Sequence, residues 1–298
     1  MSQTLTIDPV TRVEGHLSIR VDVTDGAVSQ AWSVGESFRG FEAILVGRSP
    51  LDAQQVTQRI CGVCPVEHGI ASVLAQDQAY GLTPPDNGRL LRNIMEAANF
   101  IQSHILHFYT LSAIDFIDIA AVLNYQGSDG GLNYLKNWIN SQLSSTSYYP
   151  VAPFLPRYDA QYLESLDLNC AILRNYLRAL EARTDASKLC ALFGGKLPHV
   201  ASLVPGGATQ KVDERQIQEG LILIRRLRDF IDNAYIPDLK SVARAFPSYF
   251  NLGRGCESFL AYGVFPEDNV GNQLLPRGVL NDWALETMNP AIITEDVM

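Results

Sequence analysis

The sequence predicts an α+β fold that is predominantly helical, with a small N-terminal β-hairpin or sheet followed by a bundle of long helices. Before residue 37, two segments alternate apolar and polar residues with a period of two, which is typical of half-buried strands. After residue 38, apolar residues recur at three- and four-residue spacing, which is typical of helices with one buried face. We therefore expect a single domain over residues 1–298, with a β region at 1–37 and a helical region at 38–298.

The two alternating segments are His16–Val23 and Ala27–Val34, and Thr24-Asp25-Gly26 lies between them. Because glycine adopts positive φ without steric cost, this tripeptide predicts a tight turn. The three segments together predict a β-hairpin.

Helices and loops are predicted in the remainder of the chain from apolar spacing and from proline and glycine breaks. The predicted helices cover residues 41–46, 53–58, 67–79, 87–119, 160–184 and 214–245, the last with a break at Pro237. A Gly/Pro-rich loop is predicted at 194–207. The tail from Phe265 onward is predicted to be irregular because it is rich in Pro, Gly and Asn.

Composition excludes several classes of protein. The chain has 298 residues, 47% of them hydrophobic, which argues against disorder. The formal net charge of −9 gives no electrostatic attraction to nucleic acid or to an anionic membrane. The most apolar stretch, 108–123, contains Asp115 and Asp118 and is predicted to be a buried helix, not a transmembrane segment. Residues 1–9 lack the pattern of a secretory signal.

The five cysteines are too few and too scattered for a complete disulfide framework, and their number is odd. Cys170, Cys190 and Cys256 stand alone and are predicted to be packing residues. Cys61 and Cys64 lie three positions apart, so a turn brings both sulfurs to one side and allows them to bind one metal centre.

The residues around this pair favour metal binding. Gly62 permits a tight backbone, and Pro65 suits the first turn of a following helix. A helix N-terminus stabilises the thiolate form of Cys64. His68 follows Cys64 by four residues, so on that helix it is expected near the sulfur as a hydrogen-bond donor.

Three other interpretations of the pair remain open from the residues alone. A structural zinc site usually needs a second cysteine pair or a paired His motif. A dithiol redox motif normally follows a strand, whereas residues 51–58 are predicted to be helical or irregular. Two buried structural cysteines are the third possibility.

Four stretches in register resemble the N-terminal half of nickel–iron hydrogenase large subunits, including selenium-containing members, and the resemblance covers essentially the whole chain. They are Thr11–His16 (TRVEGH), Phe38–Glu42 (FRGFE), Arg59–His68 (RICGVCPVEH), and Gly194–His199 (GGKLPH) running on to Gly207.

The resemblance implies a role for individual residues. Cys61 corresponds to a terminal nickel ligand and Cys64 to a thiolate that bridges nickel and iron, the iron also carrying CO and cyanide. Glu14 corresponds to the carboxylate that first takes the proton from the nickel site, where the alternative is a surface pair with Arg12. Glu42 corresponds to a ligand of magnesium, where the alternative is a solvent-exposed helix residue.

Histidines outside the motif receive plainer interpretations. His104 and His107 share a helical face at a spacing of three residues, and we expect both to be satisfied core or interface residues. His199 is expected to shape a surface that faces a partner subunit.

The resemblance also implies that this chain supplies only part of an enzyme. Family members end with a second cysteine pair in the motif DPCxxCxxH, and the chain ends at Glu295–Met298 without it. We therefore expect another chain or segment to supply that half, and a small subunit with iron–sulfur clusters to carry electrons. The implied oxidoreductase activity is the reversible oxidation of dihydrogen in a heteromeric complex.

Two other functions are considered beside hydrogen oxidation. The first rival is a non-catalytic, hydrogenase-like structural subunit of an electron-transfer complex, and the second is a stand-alone thiol redox protein. The resemblance implies a periplasmic location, with membrane association only through partners, and a cytoplasmic location as the alternative.

Overall fold

The computed structural model of the chain describes residues 2–143, 159–253 and 255–294. The chain end at 295–298, on which the expectation of a missing second cysteine pair rests, lies outside these residues, as does Met1. The described chain forms two compact units, one of Met1–Arg48 and Leu106–Tyr176 and the other of Ser49–Ile105 and Leu177–Met298. The assignment of residues 1–298 to a single domain stays a prediction.

The α+β, predominantly helical class is confirmed. The strands are β1 Ser2–Ile7, β2 Leu17–Thr24, β3 Ala27–Gly35, β4 Leu203–Val204, β5 Gly207–Ala208, β6 Phe259–Ala261, β7 Val264–Pro266, β8 Gln273–Leu275, β9 Gly278–Asn281 and β10 Ala284–Glu286. The α-helices are α1 Phe41–Leu45, α2 Pro50–Thr57, α3 Pro65–Tyr80, α4 Asp86–Leu106, α5 Gly130–Leu143, α6 Leu166–Gly194, α7 Glu214–Phe230 and α8 Ile236–Ala245.

The N-terminal sheet has the order β1-β2-β3 and is antiparallel throughout. The predicted hairpin is confirmed as β2 and β3, joined by Asp25 and Gly26, both of which have positive φ. Two positive φ angles are what a two-residue hairpin turn with the correct twist requires. The sequence did not predict β1, because only Leu5 and Ile7 are apolar in this six-residue strand and too few alternations are present to show a period of two.

In the rest of the first unit, the buried side chain of Asn169 connects segments that are distant in the sequence. Its Nδ2 donates to the carbonyl of Leu163 at 2.7 Å, and its Oδ1 accepts from the Asp118 amide at 2.8 Å. The Leu163 amide in turn donates to the Phe116 carbonyl at 2.8 Å. One amide side chain therefore ties the start of α6 to the irregular segment that precedes α5.

The second unit contains the cysteine turn and the glycine-rich loop. Helices α2 and α3 and the short 3₁₀ helix Gln58–Ile60 all contact one another. Strand β4, which lies in the Gly/Pro-rich loop at 194–207 (the glycine-rich loop), contacts α2 and α3. In α7, Asp213 and Gln216 form a capping box that fixes the first turn.

The predicted long helix at 87–119 is wrong beyond residue 106. It ends as α4 at Leu106 and continues as a π-helical stretch, His107–Ser112, and a 3₁₀ turn, Ala113–Asp115. Apolar residues such as Phe108 and Ile114 are buried throughout. Because apolar spacing reports burial, it could not distinguish these helix types.

The helix predicted at 160–184 is α6, which begins at Leu166 and ends at Gly194, later than predicted at both ends. Thr184 and Ser187 bond back to the carbonyls of Leu180 and Arg183, both at 2.9 Å, and so remain inside the helix. The helix ends before Gly195, whose φ of 80° is the left-handed conformation common after a helix C-terminus.

Two further predictions are corrected. Helix α5 was not predicted because Asp129-Gly130-Gly131 indicates a turn, yet the Asp129 carboxylate accepts from the Leu132 amide at 3.0 Å and starts a helix. The tail from Phe265 is not irregular. It forms short strands in two small antiparallel sheets, β10-β9-β6 and β7-β8.

A close approach between helix α4 and the glycine-rich loop gives a stability prediction. A Cβ atom added at Gly88 would lie 3.0 Å from the Cα of Gly207, which is backbone and cannot move aside alone. We expect Gly88→Ala to lower the free energy of unfolding by about 1–3 kcal/mol. Thermal or urea unfolding measures this loss.

The control is Gly130→Ala in the first turn of α5, where an added Cβ meets nothing within 4 Å. Its effect should stay within about 0.5 kcal/mol. Equal destabilisation by both alanines would contradict the packing argument.

Candidate metal centre

The two cysteines lie on one turn at the start of α3. The 3₁₀ helix Gln58–Ile60 leads into Cys61, which is extended with φ −136° and ψ 137°. Cys64 immediately precedes the helix, and Pro65 is its first residue, as predicted. The amide of Cys64 donates to Sγ of Cys61 at 3.2 Å, and both side chains are half-buried. The turn therefore brings both cysteines to one side of the helix start.

Gln58 anchors this turn to the glycine-rich loop. Its side chain is fully buried, and Nε2 donates to the Val200 carbonyl at 3.1 Å. Gly69 on α3 leaves room for it, because a Cβ there would lie 3.1 Å from Gln58 Cγ and 3.0 Å from a methyl of Leu203. The position of the cysteine turn thus depends on residues almost 140 positions away in the sequence.

The surroundings of the pair favour the thiol form of Cys64, so the expectation that the helix N-terminus stabilises its thiolate is wrong for this chain by itself. Burial, the hydrogen bond with Cys61 and the charges of Cys61 and Glu67 raise the pKa of Cys64 to about 12, and one backbone hydrogen bond opposes them. Burial also raises the pKa of Glu67. A divalent cation beside the sulfurs would offset these effects, because metal binding stabilises the thiolate over the thiol.

The donor set fits a soft transition metal in part. Two thiolates on one turn can supply two ligands, and sulfur suits metals such as nickel and iron better than it suits hard cations. Among the described residues, no three His, Cys, Asp or Glu side chains form a group that could hold a metal ion. Taken alone, the turn can therefore offer two ligands, which is less than a complete coordination sphere.

His68 lies in the first turns of α3, four residues after Cys64, as expected. Burial lowers the pKa of its imidazole, which favours the neutral form. Its backbone carbonyl accepts a hydrogen bond from Thr57 at 3.4 Å. The hydrogen bond from its ring to the Cys64 sulfur stays a prediction.

Glu14 and Glu42 lie in the first unit, whereas the cysteine turn lies in the second. Both residues are exposed. The alternative interpretation of Glu14, a surface pair with Arg12, is not what the structure shows, because Arg12 forms a two-pronged ion pair with Asp115 at 3.0–3.1 Å. On the other side of Glu14, His16 pairs with Asp8 at 3.0 Å. Glu42 lies in the first turn of α1.

His104 and His107 have local partners, but both are exposed, so the expectation that they lie in the core is wrong. His104 Nδ1 lies 2.9 Å from the Phe100 carbonyl, and its ring lies 4.3 Å from the Phe100 ring. His107 Nδ1 lies 3.5 Å from the Ser112 hydroxyl. His199 has a positive φ of 63°, and burial together with Arg59 and Lys196 lowers its pKa.

Two of the three single cysteines are packing residues. Cys170 and Cys190 are buried, as predicted. Cys256 is exposed, and the prediction that it packs is wrong. It lies shortly before β6, where its sulfur lies 3.5 Å from the Ser258 carbonyl.

The sequence analysis missed a group of polar residues beside the cysteine turn. Both carboxylate oxygens of Glu67 lie 2.8 Å from Nδ2 of Asn99. Glu96, one turn earlier on α4, is also buried. The available clue was the recurrence of polar residues at three- and four-residue spacing inside a long amphipathic helix.

None of the helices in the described ranges has the length and apolar character that crossing a membrane requires.

The chain matches a known family over most of its length. The model of the nickel-dependent hydrogenase family matches residues 39–298, and a second model, described as HoxL-like, matches residues 4–33.

Curated relatives match in the same way. The chain is 39% identical to the periplasmic [NiFeSe] hydrogenase large subunit of Desulfomicrobium baculatum, covering 98% of this chain and 53% of the relative. It is 34% identical to the hydrogenase-2 large chain of Escherichia coli K12, covering 97% of this chain and 55% of that relative. The chain thus spans about half the length of the curated relatives it matches.

Solved structures agree in fold. The Ni-Fe-Se hydrogenase from D. vulgaris Hildenborough in its reduced state superposes with a TM-score of 0.80 at 40% identity, over 98% of this chain and 55% of that one. The [NiFeSe]-hydrogenase of Dm. baculatum gives a TM-score of 0.81 at 38% identity, over 98% and 56%.

Proposed function

Because this chain belongs to the nickel-dependent hydrogenase family, we propose that it is the N-terminal portion of a hydrogenase large subunit and takes part in the reversible oxidation of dihydrogen. The observation that carries the proposal is the turn on which Cys61 and Cys64 face one side at the start of α3. Two sulfurs on one turn, with the Glu67 carboxylate nearby, supply soft ligands and negative charge for a metal cation.

In this proposal the Cys61 sulfur would hold nickel as a terminal ligand, and the Cys64 sulfur would be shared by nickel and iron. A nickel–iron centre supplies the Lewis acidity that polarises the H–H bond. The Cys64 amide orients the Cys61 sulfur, and Gln58 anchors the turn to the glycine-rich loop. Because the ligands are already in position, the side chains need to move less when the metal binds and when the enzyme turns over. The iron also carries CO and cyanide ligands, and infrared spectroscopy of their stretching bands tests this.

His68 tunes the site from outside the ligand set. Its neutral imidazole can donate one hydrogen bond to a nearby thiolate, which orients the sulfur and reduces its charge. Loss of such a partner typically costs about 10- to 100-fold in metal affinity or activity. A His68→Ala complex that bound nickel and turned over like the wild type would remove this role.

Glu14 is proposed to take the proton from the centre. Its exposure in the described chain leaves its carboxylate free to meet a proton route formed with the rest of the enzyme. Glu14→Gln keeps the shape of the side chain and removes its basic site. We expect the variant to keep its nickel and to lose at least about 10²-fold in turnover, as measured by hydrogen-dependent dye reduction.

Glu42 is proposed to bind magnesium, since a carboxylate oxygen is a suitable ligand for this hard cation. Elemental analysis of the wild type and of Glu42→Ala tests it, and equal magnesium in both would remove this role.

The partners follow from the same proposal. A second segment or chain supplies the DPCxxCxxH motif, and a small subunit with iron–sulfur clusters accepts the electrons. Both should co-purify with this chain. The location is proposed to be periplasmic, as the name of the Desulfomicrobium relative states for that protein, and cell fractionation tests this.

The experiment that tests the function is hydrogen-dependent reduction of a redox dye by the complete purified complex, combined with nickel analysis. The proposal predicts both nickel and activity. A complex that contains no nickel and reduces no dye would instead support a structural subunit of an electron-transfer assembly.

A further inference from the structure

A cavity of about 470 Å³ lies along α4 in the second unit of the chain. One wall is α4 with the end of α3, and the opposite wall is the segment from Tyr262 to Arg277. The two walls are held together at the carbonyl of Pro266, which accepts from Arg89 at 2.9 Å and from Asn93 at 2.8 Å. The cavity is therefore a built feature of this unit and not a gap between mobile surfaces.

Polar side chains follow one face of α4 beside this cavity. Arg89, Asn93, Glu96 and Asn99 are separated by four, three and three residues, so they lie above one another on the helix surface. The first three line the cavity, and Asn99 bonds to the Glu67 carboxylate near the cysteine turn. We call these four residues the α4 polar stripe. It connects the surroundings of the cysteine turn with the cavity.

Several buried atoms of the stripe have no hydrogen-bond partner among the residues that the structure describes. They are Nε of Arg89, Oδ1 of Asn93 and Oδ1 of Asn99. Buried polar atoms in native proteins are normally hydrogen-bonded to protein or to ordered water. A cavity of this volume has room for several waters, each of which needs two to four polar partners. The stripe supplies such partners at successive positions.

Glu96 lies in the middle of the stripe and is only 6% exposed. Within the described part of the chain, no side chain or amide donates a hydrogen bond to its carboxyl group. Burial first, and then the charge of Glu67, raise its pKa to about 7. A carboxyl group with this pKa exchanges its proton readily in both directions near neutral pH.

The charged groups around Glu96 do not neutralise it. From α3 it faces Glu67 and Asp77, and Asp77 is already paired with Arg92 of α4 at 2.6 Å. Arg89 is paired with Asp86 at 3.1 Å. On the opposite wall, Arg277 is stacked on Tyr262 at 4.1 Å and donates to its carbonyl. The nearby cations are thus all engaged elsewhere.

We propose that the α4 polar stripe and its cavity form a water-filled proton route between the cysteine turn and solvent, in which Glu96 is the residue that holds the proton. The route rests on the proposed function, because dihydrogen oxidation supplies the proton. The Glu96 carboxylate accepts a proton from a water on the inner side and releases one to a water in the cavity. It returns to its starting state, so no other reactant is consumed. All residues of the stripe belong to the second unit, and Glu14 is not one of them.

The test uses Glu96→Gln in the complete complex, because glutamine keeps the size of the side chain and cannot carry a proton. We expect unchanged nickel content and a kcat for hydrogen-dependent dye reduction about 10²-fold lower. Glu96→Asp, which can still carry a proton, should restore much of the loss. The plot of kcat against pH should have an inflection near neutral pH in the wild type, and this inflection should be absent in Glu96→Gln.

Glu219→Gln on α7 is the matched control, since it removes the same charge from an exposed residue. It should leave turnover and pH profile unchanged. A wild-type rate and pH profile in Glu96→Gln would overturn the route while leaving the proposed function intact. A wild-type complex without nickel or hydrogen oxidation would overturn the function and the route together.

A second readout does not depend on turnover. The infrared C=O stretch of a protonated carboxyl group should titrate near neutral pH in the wild type and be missing in Glu96→Gln. A crystal structure of the complex should show ordered waters bonded to Arg89 Nε and Asn93 Oδ1. An infrared spectrum unchanged by the substitution, or a dry cavity, would overturn the route even if turnover fell.

Discussion

Replacing Cys61 by serine should remove nickel from the purified complex while the chain remains folded. The cysteine turn supplies two sulfurs, and serine offers a hydroxyl that is a much weaker ligand for a soft metal. The loss should exceed the 10- to 100-fold effects that follow removal of a residue outside the ligand set. Nickel per complex by elemental analysis, together with hydrogen-dependent dye reduction, measures it, and both should fall to background.

Cys256→Ser is the matched control, because it makes the same exchange at an exposed cysteine. It should leave nickel content and turnover unchanged. Thermal unfolding of both variants shows whether either substitution acts through the fold. A Cys61→Ser complex with full nickel and wild-type unfolding would mean that Cys61 is not a ligand.

Replacing Arg92 by alanine should cause the largest loss of stability in the second unit. Arg92 is 4% exposed and forms an ion pair with Asp77 at 2.6 Å. It also donates to the carbonyls of Gly207 at 3.0 Å and Val204 at 2.7 Å, and Asp77 accepts from the Gly206 amide at 2.6 Å. Removing one partner of such a buried network leaves a charge and two carbonyls unpaired, which costs about 3–5 kcal/mol.

For a protein of this size the cost corresponds to a decrease in Tm of roughly 10 °C. Differential scanning calorimetry measures it. Arg215→Ala is the control, because the side chain of Arg215 is 77% exposed and its pair with Glu219 spans 3.7 Å. Such surface pairs contribute about 0–1 kcal/mol. If the two alanines lowered Tm equally, Arg92 would not be what joins the glycine-rich loop to α3 and α4.

Elements set by local chemistry could be predicted from the sequence. The β2–β3 hairpin follows from period-two alternation around Asp25-Gly26, and α3 follows from Pro65 at its start and Gly81 beyond its end. What depends on distant partners could not be predicted. The strands after Phe259 are too short and too exposed to show a pattern, and they exist because they pair with one another.

The same division holds for the site. The spacing of Cys61 and Cys64 and the resemblance around them identified the turn. The electrostatics arise from packing between α3 and α4, which brings Glu67 to Asn99 across 32 positions of sequence. No local pattern indicates that pairing. For the same reason the sequence could not show that Arg12, considered as an alternative partner of Glu14, bonds instead to Asp115, 103 residues away.

X-ray absorption at the nickel edge of the complete complex tests most directly whether the turn at the start of α3 holds the metal. We predict sulfur atoms in the first coordination sphere of nickel, and one fewer in Cys64→Ser. A first sphere made only of oxygen and nitrogen, or a sulfur count unaffected by Cys64→Ser, would contradict the assignment.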